Sequence, residues 1–341
     1  MANFDVSNLL TAQTMVSDKY KTPEMRIKPA PAFSLLTANS DILITSAETL
    51  RTREDRAIEA HMLARTKRSS GTARAASHTG TIDDTTKVTL SWTTKSDKFA
   101  ISLKLLDKSL FDFNTVLANK FEQACMNILE DKETEAIAYL RAQRATQQPT
   151  LKGITFNAAN DVIEIDAADA EAKRFFSRLR SAMRQNYFGS AVDLIADSSM
   201  AVNVEFLAAQ GAGNATNYGY QFQGLSIAES VELNNTDYAN GSVIAMPSGS
   251  VGALNWIPKQ NRAGWGDYNS YVGGYGTFSF LGYQFAVHGY SQRSDQSASN
   301  GDVQDVLMEF EVSLDSSFNK APLAYTTGRT DSVIIEFAQA S

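Results

Sequence analysis

Ser198 or Ser199, Asp197 and His288 are the residue types of a nucleophile–acid–base relay, and acyl-transfer chemistry could be drawn from them. The serines lack the flanking glycines of a nucleophile elbow, which hold such a residue on a strained strand-to-helix turn. Asp197-Ser198-Ser199 also has a plainer use, as the cap of a helix running from Met200 to Ala209 and ending at Gly211. The other histidines, His61 and His78, fall in a charged segment and in a small, polar one, each isolated from obvious partners. No pair of His or acidic residues shows helical ligand spacing with a supporting third ligand, so no metal site is expected.

Three further groups have bland readings. Gly211-Ala212-Gly213-Asn214 starts like a phosphate loop, but the third glycine is missing and a helix precedes it, where the phosphate loop needs a strand. Glu130-Asp131 could act as paired carboxylates, yet they read as a solvated interval on an exposed helix face. Trp256, Trp265, Tyr268, Tyr271, Tyr275, Phe278, Phe280, Tyr283 and Phe285 could stack bases or sugars. Without interleaved Lys and Arg they read as core and subunit packing, with Gly273-Gly274-Tyr275-Gly276 as a turn between strands. The chain is therefore expected not to be an enzyme, with no catalytic residue, no cofactor site and no metal ligand.

The element that dominates the sequence is a long helix. Leu110, Phe113, Leu117, Phe121, Ala124 and Ile128 follow three-and-four spacing, and Ile137 and Leu140 resume the stripe after a charged interval. Asp112 or Asn114 can cap its start, and neither Gly nor Pro interrupts the run before Pro149, which predicts a helix over about 112–146. At helical rise the run spans roughly 50 Å, a strut across something extended.

Around it, residues 1–48 carry Pro23, Pro29 and Pro31 with little periodicity and read as an extended arm. Residues 49–68 have helical composition, and Ser69 to Thr81 is small, polar and coreless. Val88, Leu90 and Trp92, then Phe99, Ile101, Leu103 and Leu105, alternate as two strands, with Lys95-Ser96-Asp97 short enough to join them as a hairpin. Later come a strand at Ile163 and Ile165 and a helix over about 168–187. That helix shows Phe175, Phe176, Leu179 and Met183 on one side, and Arg174, Arg178, Arg180 and Arg184 largely on the other. Strands follow at Ala191–Ala196, at Gly224–Leu233, along Val306–Leu314 and at Val333–Phe337, and residues 236–300 are rich in Gly, Asn, Ser and aromatics. The fold class is α+β.

Composition is that of a chain that buries a core: 341 residues, 43% hydrophobic and 20% charged. No apolar run approaches transmembrane length and the start lacks a signal-peptide pattern, so no membrane and a cytoplasmic product are expected. Cys125 is the only cysteine, which excludes an intrachain disulfide and leaves a buried inert thiol as its role. The net charge of -7 argues against nucleic-acid binding through bulk charge. Residues 51–74 are nonetheless rich in Arg and Lys, and the last forty residues are acidic. That polarity either belongs to two solvated faces or serves head-to-tail contact between identical subunits.

The order of arm, basic segment, polar loop, hairpin, very long helix, strand–helix–strand and Gly- and aromatic-rich domain resembles the major capsid protein of tailed bacteriophages, with the Hong Kong 97-like fold. The closest local similarity is Phe99-Ala-Ile-Ser-Leu-Lys-Leu-Leu-Asp-Lys-Ser leading into the helix that holds Glu130-Asp131. Val192-Asp-Leu-Ile-Ala-Asp197 before a helix, and Gly224-Leu-Ser-Ile, are similar to the family's peripheral-domain strands.

The resemblance implies an N-terminal arm over 1–48, an extended loop with a β-hairpin over 49–106, a peripheral domain over 107–235 with its spine helix, and an axial domain plus return strands over 236–341. It implies a shell protein that assembles into pentamers and hexamers of an icosahedral head around double-stranded DNA touched non-specifically. Portal and scaffolding or decoration proteins are implied partners. The place implied is the virion, assembled in the host cytoplasm. An encapsulin-like compartment shell, a tail or baseplate component and, remotely, a serine hydrolase are the other readings. Some members crosslink subunits through a loop lysine; Lys67 and Lys87 lie in the region, but its Asn and acid partners are not identifiable.

Overall fold

A computed structural model describes residues 6–20, 28–44, 46–62, 86–102, 111–149, 154–165, 174–189, 191–211, 224–233, 238–294, 305–323 and 329–340. His78, Lys67, Leu103, Leu105, Leu110, Gly213, the Ser69–Thr81 stretch and the 168–173 part of the expected helix lie outside the described residues.

In chain order the elements are α1 (Val6–Lys19), α2 (Pro31–Leu43), α3 (Ala47–Arg51), β1 (Glu59–Met62), β2 (Thr86–Thr89), β3 (Thr93–Ser102) and α4 (Phe113–Ala142). Then follow β4 (Thr155–Asn157), β5 (Val162–Ile165), α5 (Phe175–Gln185), β6 (Val192–Ala196), α6 (Ser198–Gly211), β7 (Leu225–Glu229), a 3-10 turn at Val231–Leu233, β8 (Ser242–Pro247) and β9 (Val251–Trp256). The chain finishes with α7 (Lys259–Ala263), β10 (Gly266–Asp267), β11 (Gly273–Phe280), β12 (Tyr283–Ser294), β13 (Asp305–Lys320) and β14 (Ile335–Gln339). The α+β class is as expected.

Two six-stranded sheets organise these elements. The first runs β10-β11-β12-β13-β3, with β9 also paired to β13, and all its pairings are antiparallel. Period-two alternation gives it one apolar face, made by Phe278, Phe285, Val287, Met308, Phe310 and Val312. Helix α4 lies on that face, where the Phe121 ring stacks on Phe278 at 4.8 Å and meets Phe99 edge-on at 5.0 Å. Gly289 lets Phe310 approach, since a Cβ there would stand 2.6 Å from the Phe310 ring.

The second sheet, β4-β5-β14-β8-β6-β7, is mixed: β14 is parallel to β5 and β6 to β7. Its central strands are buried on both faces, so they read as continuous apolar runs. Leu194 and Val243 join a core with Phe175, Phe176, Leu179 and Met183 of α5, while Ile195, Ile244 and Met246 face the core shared with α4.

Several expectations are corrected. Residues 6–43 are not an extended arm: α1 buries Leu9, Ala12 and Val16 and α2 buries Phe33 and Leu36 in the main core. Pro31 does not argue against this, because it stands in the first turn of α2, where proline starts a helix without costing a hydrogen bond. Glu59–Met62 is a strand, with the alternating burial of one edge, where a helix was expected.

The hairpin also differs. Lys95-Ser96-Asp97 is not a turn but the middle of β3, which pairs along its whole length with β13. β2 pairs with β1, Thr89 opposite Glu59 and Thr86 opposite Met62. The charges of the supposed turn are held by α4, Lys95 by Asp131 and Glu135 and Asp97 by Asn127, which is why a polar triplet fits inside a strand. Helix α4 ends at Ala142, short of Thr146.

Finally, the chain does not divide at residue 236. Strand β8 joins β6 and β14 in the second sheet, and β3 and α4, from before that residue, pack with β11–β13.

Candidate functional site

Helix α4 is capped by Asp112, whose carboxylate accepts from the Thr115 N–H at 3.3 Å. Its buried stripe runs Leu117, Phe121, Ala124, Cys125, Ile128, Leu129, Lys132, Glu133, Ala136, Ile137 and Leu140 without a break. The charged interval is therefore only half solvated: Glu130 and Asp131 are exposed, while Lys132 and Glu133 fill core positions.

These two buried charges serve different neighbours. The Glu133 carboxylate accepts from the backbone N–H of Ala32 at 3.1 Å and of Phe33 at 2.9 Å, and from the Ser230 hydroxyl at 2.5 Å. It thus caps α2, whose own N-cap residue, Ala30, offers no side-chain acceptor. Burial raises the Glu133 carboxyl above the usual range, with Ser230 and the two amides pulling the other way. Lys132 donates to the Thr93 carbonyl at 3.1 Å and to Glu135 at 2.7 Å, fixing α4 to β3. Burial lowers its ammonium below the ordinary lysine value.

Helix α2 is also tied to the second sheet. Asn39 Nδ2 donates to the buried Asp193 at 2.8 Å, and Ser248 donates to the other oxygen of Asp193 at 2.6 Å. Near the far end of α4, Arg144 meets the fully buried Glu336 of β14 at 2.6 Å. The polar centre of the molecule is thus a set of ties joining α2, α4 and both sheets.

A second group of contacts fixes the point where the β1–β2 ribbon joins the body. Arg56 meets Asp315 of β13 at 2.8 Å, donates to Thr94 at 2.9 Å and lies over the Trp256 ring at 5.5 Å. Trp256 donates to the Arg53 carbonyl, Arg262 donates to the carbonyls of Thr52 and Arg53, and Lys259 pairs with Glu54. Some of the charge polarity seen in the sequence is therefore consumed within one chain, since Arg56 and Asp315 come from its two ends.

The residues considered for chemistry fall elsewhere. Asp197 Oδ1 accepts from Met200 N at 2.7 Å, and its other oxygen accepts from Ser242 N at 2.7 Å, so it caps α6 as expected. His288 is in β12 of the other sheet, its ring stacked on Tyr275 at 4.5 Å, and Ser199 is exposed. The structure does not bring the relay together. Among the described residues no cluster of His, Cys, Asp and Glu could hold a metal ion, and no helix is long and apolar enough to cross a membrane. Cys125 is buried, and burial pushes its thiol up, which makes it a poor nucleophile. Of the nine aromatics, Phe278, Phe280 and Phe285 are core, whereas Trp265 and Tyr271 are exposed.

No protein-family model and no curated protein matches the chain. Among solved structures it is similar to the capsid of the cyanophage P-SCSP1u, at 13% identity over 83% of each chain with a TM-score of 0.41. It is similar to a structure of Mycobacterium phage Adephagia, at 10% identity over 100% of this chain and 99% of that one, TM-score 0.44. The third likeness is to the capsid of a native GTA particle, at 14% identity over 87% and 90% of the two chains, TM-score 0.42.

Proposed function

We propose that this chain is the shell subunit of a tailed-bacteriophage head, a structural protein that assembles with copies of itself into pentamers and hexamers of an icosahedral particle around double-stranded DNA. The observation that carries the reading is the 30-residue helix α4, about 45 Å long, laid along one sheet, tied through the buried Glu133 to α2 and to Ser230 at the end of β7 in the second sheet, and packed against α1. Such a strut spreads a rigid body between neighbours, and the polar interactions it makes hold elements in place without converging on a substrate.

In this reading α4 is the spine of a peripheral unit that also contains β3 and β9–β13. The second sheet, β4–β8 with β14, is the axial unit that meets its copies around five- and six-fold axes. The β1–β2 ribbon, clamped at Arg56, is the base of the loop that reaches an adjacent subunit. Portal and scaffolding or decoration proteins and the packaged DNA are its further partners. The place of action is the virion, with assembly in the host cytoplasm. Stability of the particle comes from many copies of each contact.

Electron microscopy of the purified, assembled protein tests this. Closed icosahedral particles are expected. Tubes or baseplate-like rings, or a chain that stays monomeric under every assembly condition, would overturn it. Closed particles carrying a protein cargo in place of DNA would move the reading to a compartment shell.

A further inference from the structure

Two surface features stand at opposite ends of β11. Before its first residue, the loop from Trp265 to Val272 exposes three large apolar side chains: Trp265 at 53%, Tyr271 at 82% and Val272 at 80%. The loop is stiff. Asp267 Oδ1 accepts from Asn269 N at 2.9 Å, Ser270 Oγ donates to the Asp267 carbonyl at 2.7 Å, and Ser291 Oγ donates to the Asn269 carbonyl at 2.7 Å. A preorganised apolar knob of this kind loses little entropy on docking and supplies the aromatic anchors that dominate interfaces.

Beyond the last residue of β11, the turn at Leu281 forms one wall of a cleft of about 1100 Å³. Its other walls include Val16 and Tyr20 of the α1 end, Pro31 and Leu35 of α2, and Val231, itself 73% exposed. Lys28 and Glu229 stand on the lip, and Lys28 makes no ion pair among the described residues. The knob carries Asp267, exposed and likewise without an ion pair among the described residues, which complements Lys28. The Glu133 carboxylate at the cleft floor is already taken by α2 and Ser230. Among the described residues the cleft therefore offers largely apolar walls with one cation, Lys28, and one anion, Glu229, at the mouth, and Lys28 is the charge that Asp267 can meet.

Strand β11 separates the two features by eight residues, about 25 Å at strand rise, so the knob of one chain cannot reach its own cleft. Every copy carries both, however. We propose that the Trp265–Val272 loop of one copy seats in the α1–α2 cleft of a second copy, a head-to-tail contact in which each subunit gives one knob and receives another. This rests on the self-assembly reading above.

Disulfide trapping tests it cleanly, because the only native cysteine, Cys125, is buried. A Tyr271→Cys chain and a Val231→Cys chain are co-assembled and oxidised. A dimer band is expected from the mixture, none from either chain alone, and none when Val202→Cys on α6 replaces Val231→Cys. A Tyr271→Asp chain, altered only at an exposed position, should keep its fold by circular dichroism and lose association. Particles that form without the mixed disulfide, a Tyr271→Cys chain that crosslinks to itself, or a Tyr271→Asp chain that associates like the parent would each overturn the contact. If no particle forms at all, the shell reading fails, and the mixed disulfide in whatever oligomers exist still decides the contact.

Discussion

The carboxylate of Glu133 receives the backbone N–H of Phe33 at 2.9 Å, across one hundred residues of chain. A helix start that has no cap of its own is thereby completed by a side chain of another helix, inside the core. Replacing Glu133 with Ala strands two amide donors and the Ser230 hydroxyl in a buried place. The expected loss is about 2–4 kcal/mol, from unsatisfied buried donors and a lost cap together. Urea unfolding checks the size, and faster proteolysis within α2 checks the place.

The same residue sets a pH dependence. Burial raises the folded-state carboxyl of Glu133 above its ordinary value of 4.5, so the folded state holds the proton more tightly than the unfolded chain. The stabilisation from that proton is complete below the unfolded value and disappears as pH rises through the folded one. The stability of the parent minus that of Glu133→Gln should therefore fall as pH is raised from about 4 towards neutrality. A difference that rises over that window in paired urea titrations would contradict the sign.

Arg56 and Asp315 make the clamp at the root of the ribbon, with Asp315 5% exposed. Arg56→Ala leaves that carboxylate without its cation. Because the arginine itself is part-exposed, we expect about 1–3 kcal/mol, below the range for a fully buried pair. Arg56→Lys should recover only part, since an ammonium cannot reproduce the guanidinium over Trp256 while also reaching Thr94. Chemical denaturation of the two variants side by side gives the comparison.

Packing of α4 on the first sheet centres on Phe121, fully buried among Phe99, Phe278 and Phe310. Phe121→Ala should cost about 3–5 kcal/mol. Phe111→Ala, at a ring 64% exposed just before the helix, should stay within about 0.5 kcal/mol. Equal losses in thermal unfolding would mean the helix is not seated as described.

Gly289→Ala brings a methyl to 2.6 Å from the Phe310 ring and should destabilise by about 1–3 kcal/mol. The double variant Gly289→Ala with Phe310→Leu should recover part of that loss, because the two positions share one volume. Strict additivity in a double-mutant cycle would refute the shared contact.

Periodicity exposed α4 in the sequence, and alternation exposed β13, because each buries one face over many residues. It did not expose Lys132 and Glu133. Their residue types argue for water, and only their place between Leu129 and Ala136 in the stripe argues for the core. The strand character of Val88–Thr89 and of Phe99–Ser102 is legible, although Leu90–Trp92 fall between strands and 95–97 continue β3, yet strand partners are not. Alternation says that a strand has one buried face and is silent about which edge it finds, so β3 pairing with β13, more than two hundred residues on, left no local trace. In the N-terminal region proline is ambiguous from sequence alone, since it both breaks helices and, as Pro31 does, opens them. The serine–histidine relay failed for the complementary reason: common residue types gather in a sequence far more easily than in space.

Helix α2 is made early in synthesis, but everything that seats it is made later: Glu133 for its cap, Asp193 for Asn39, and Gly252, whose missing side chain lets Ser40 lie against β9. Roughly three-quarters of the chain must be made before Gly252 is in place, and such distant pairings form slowly. The order of manufacture is thus the reverse of the order of closure. The first helices serve as the last bolts, and a subunit still lacking them is an unfinished tile.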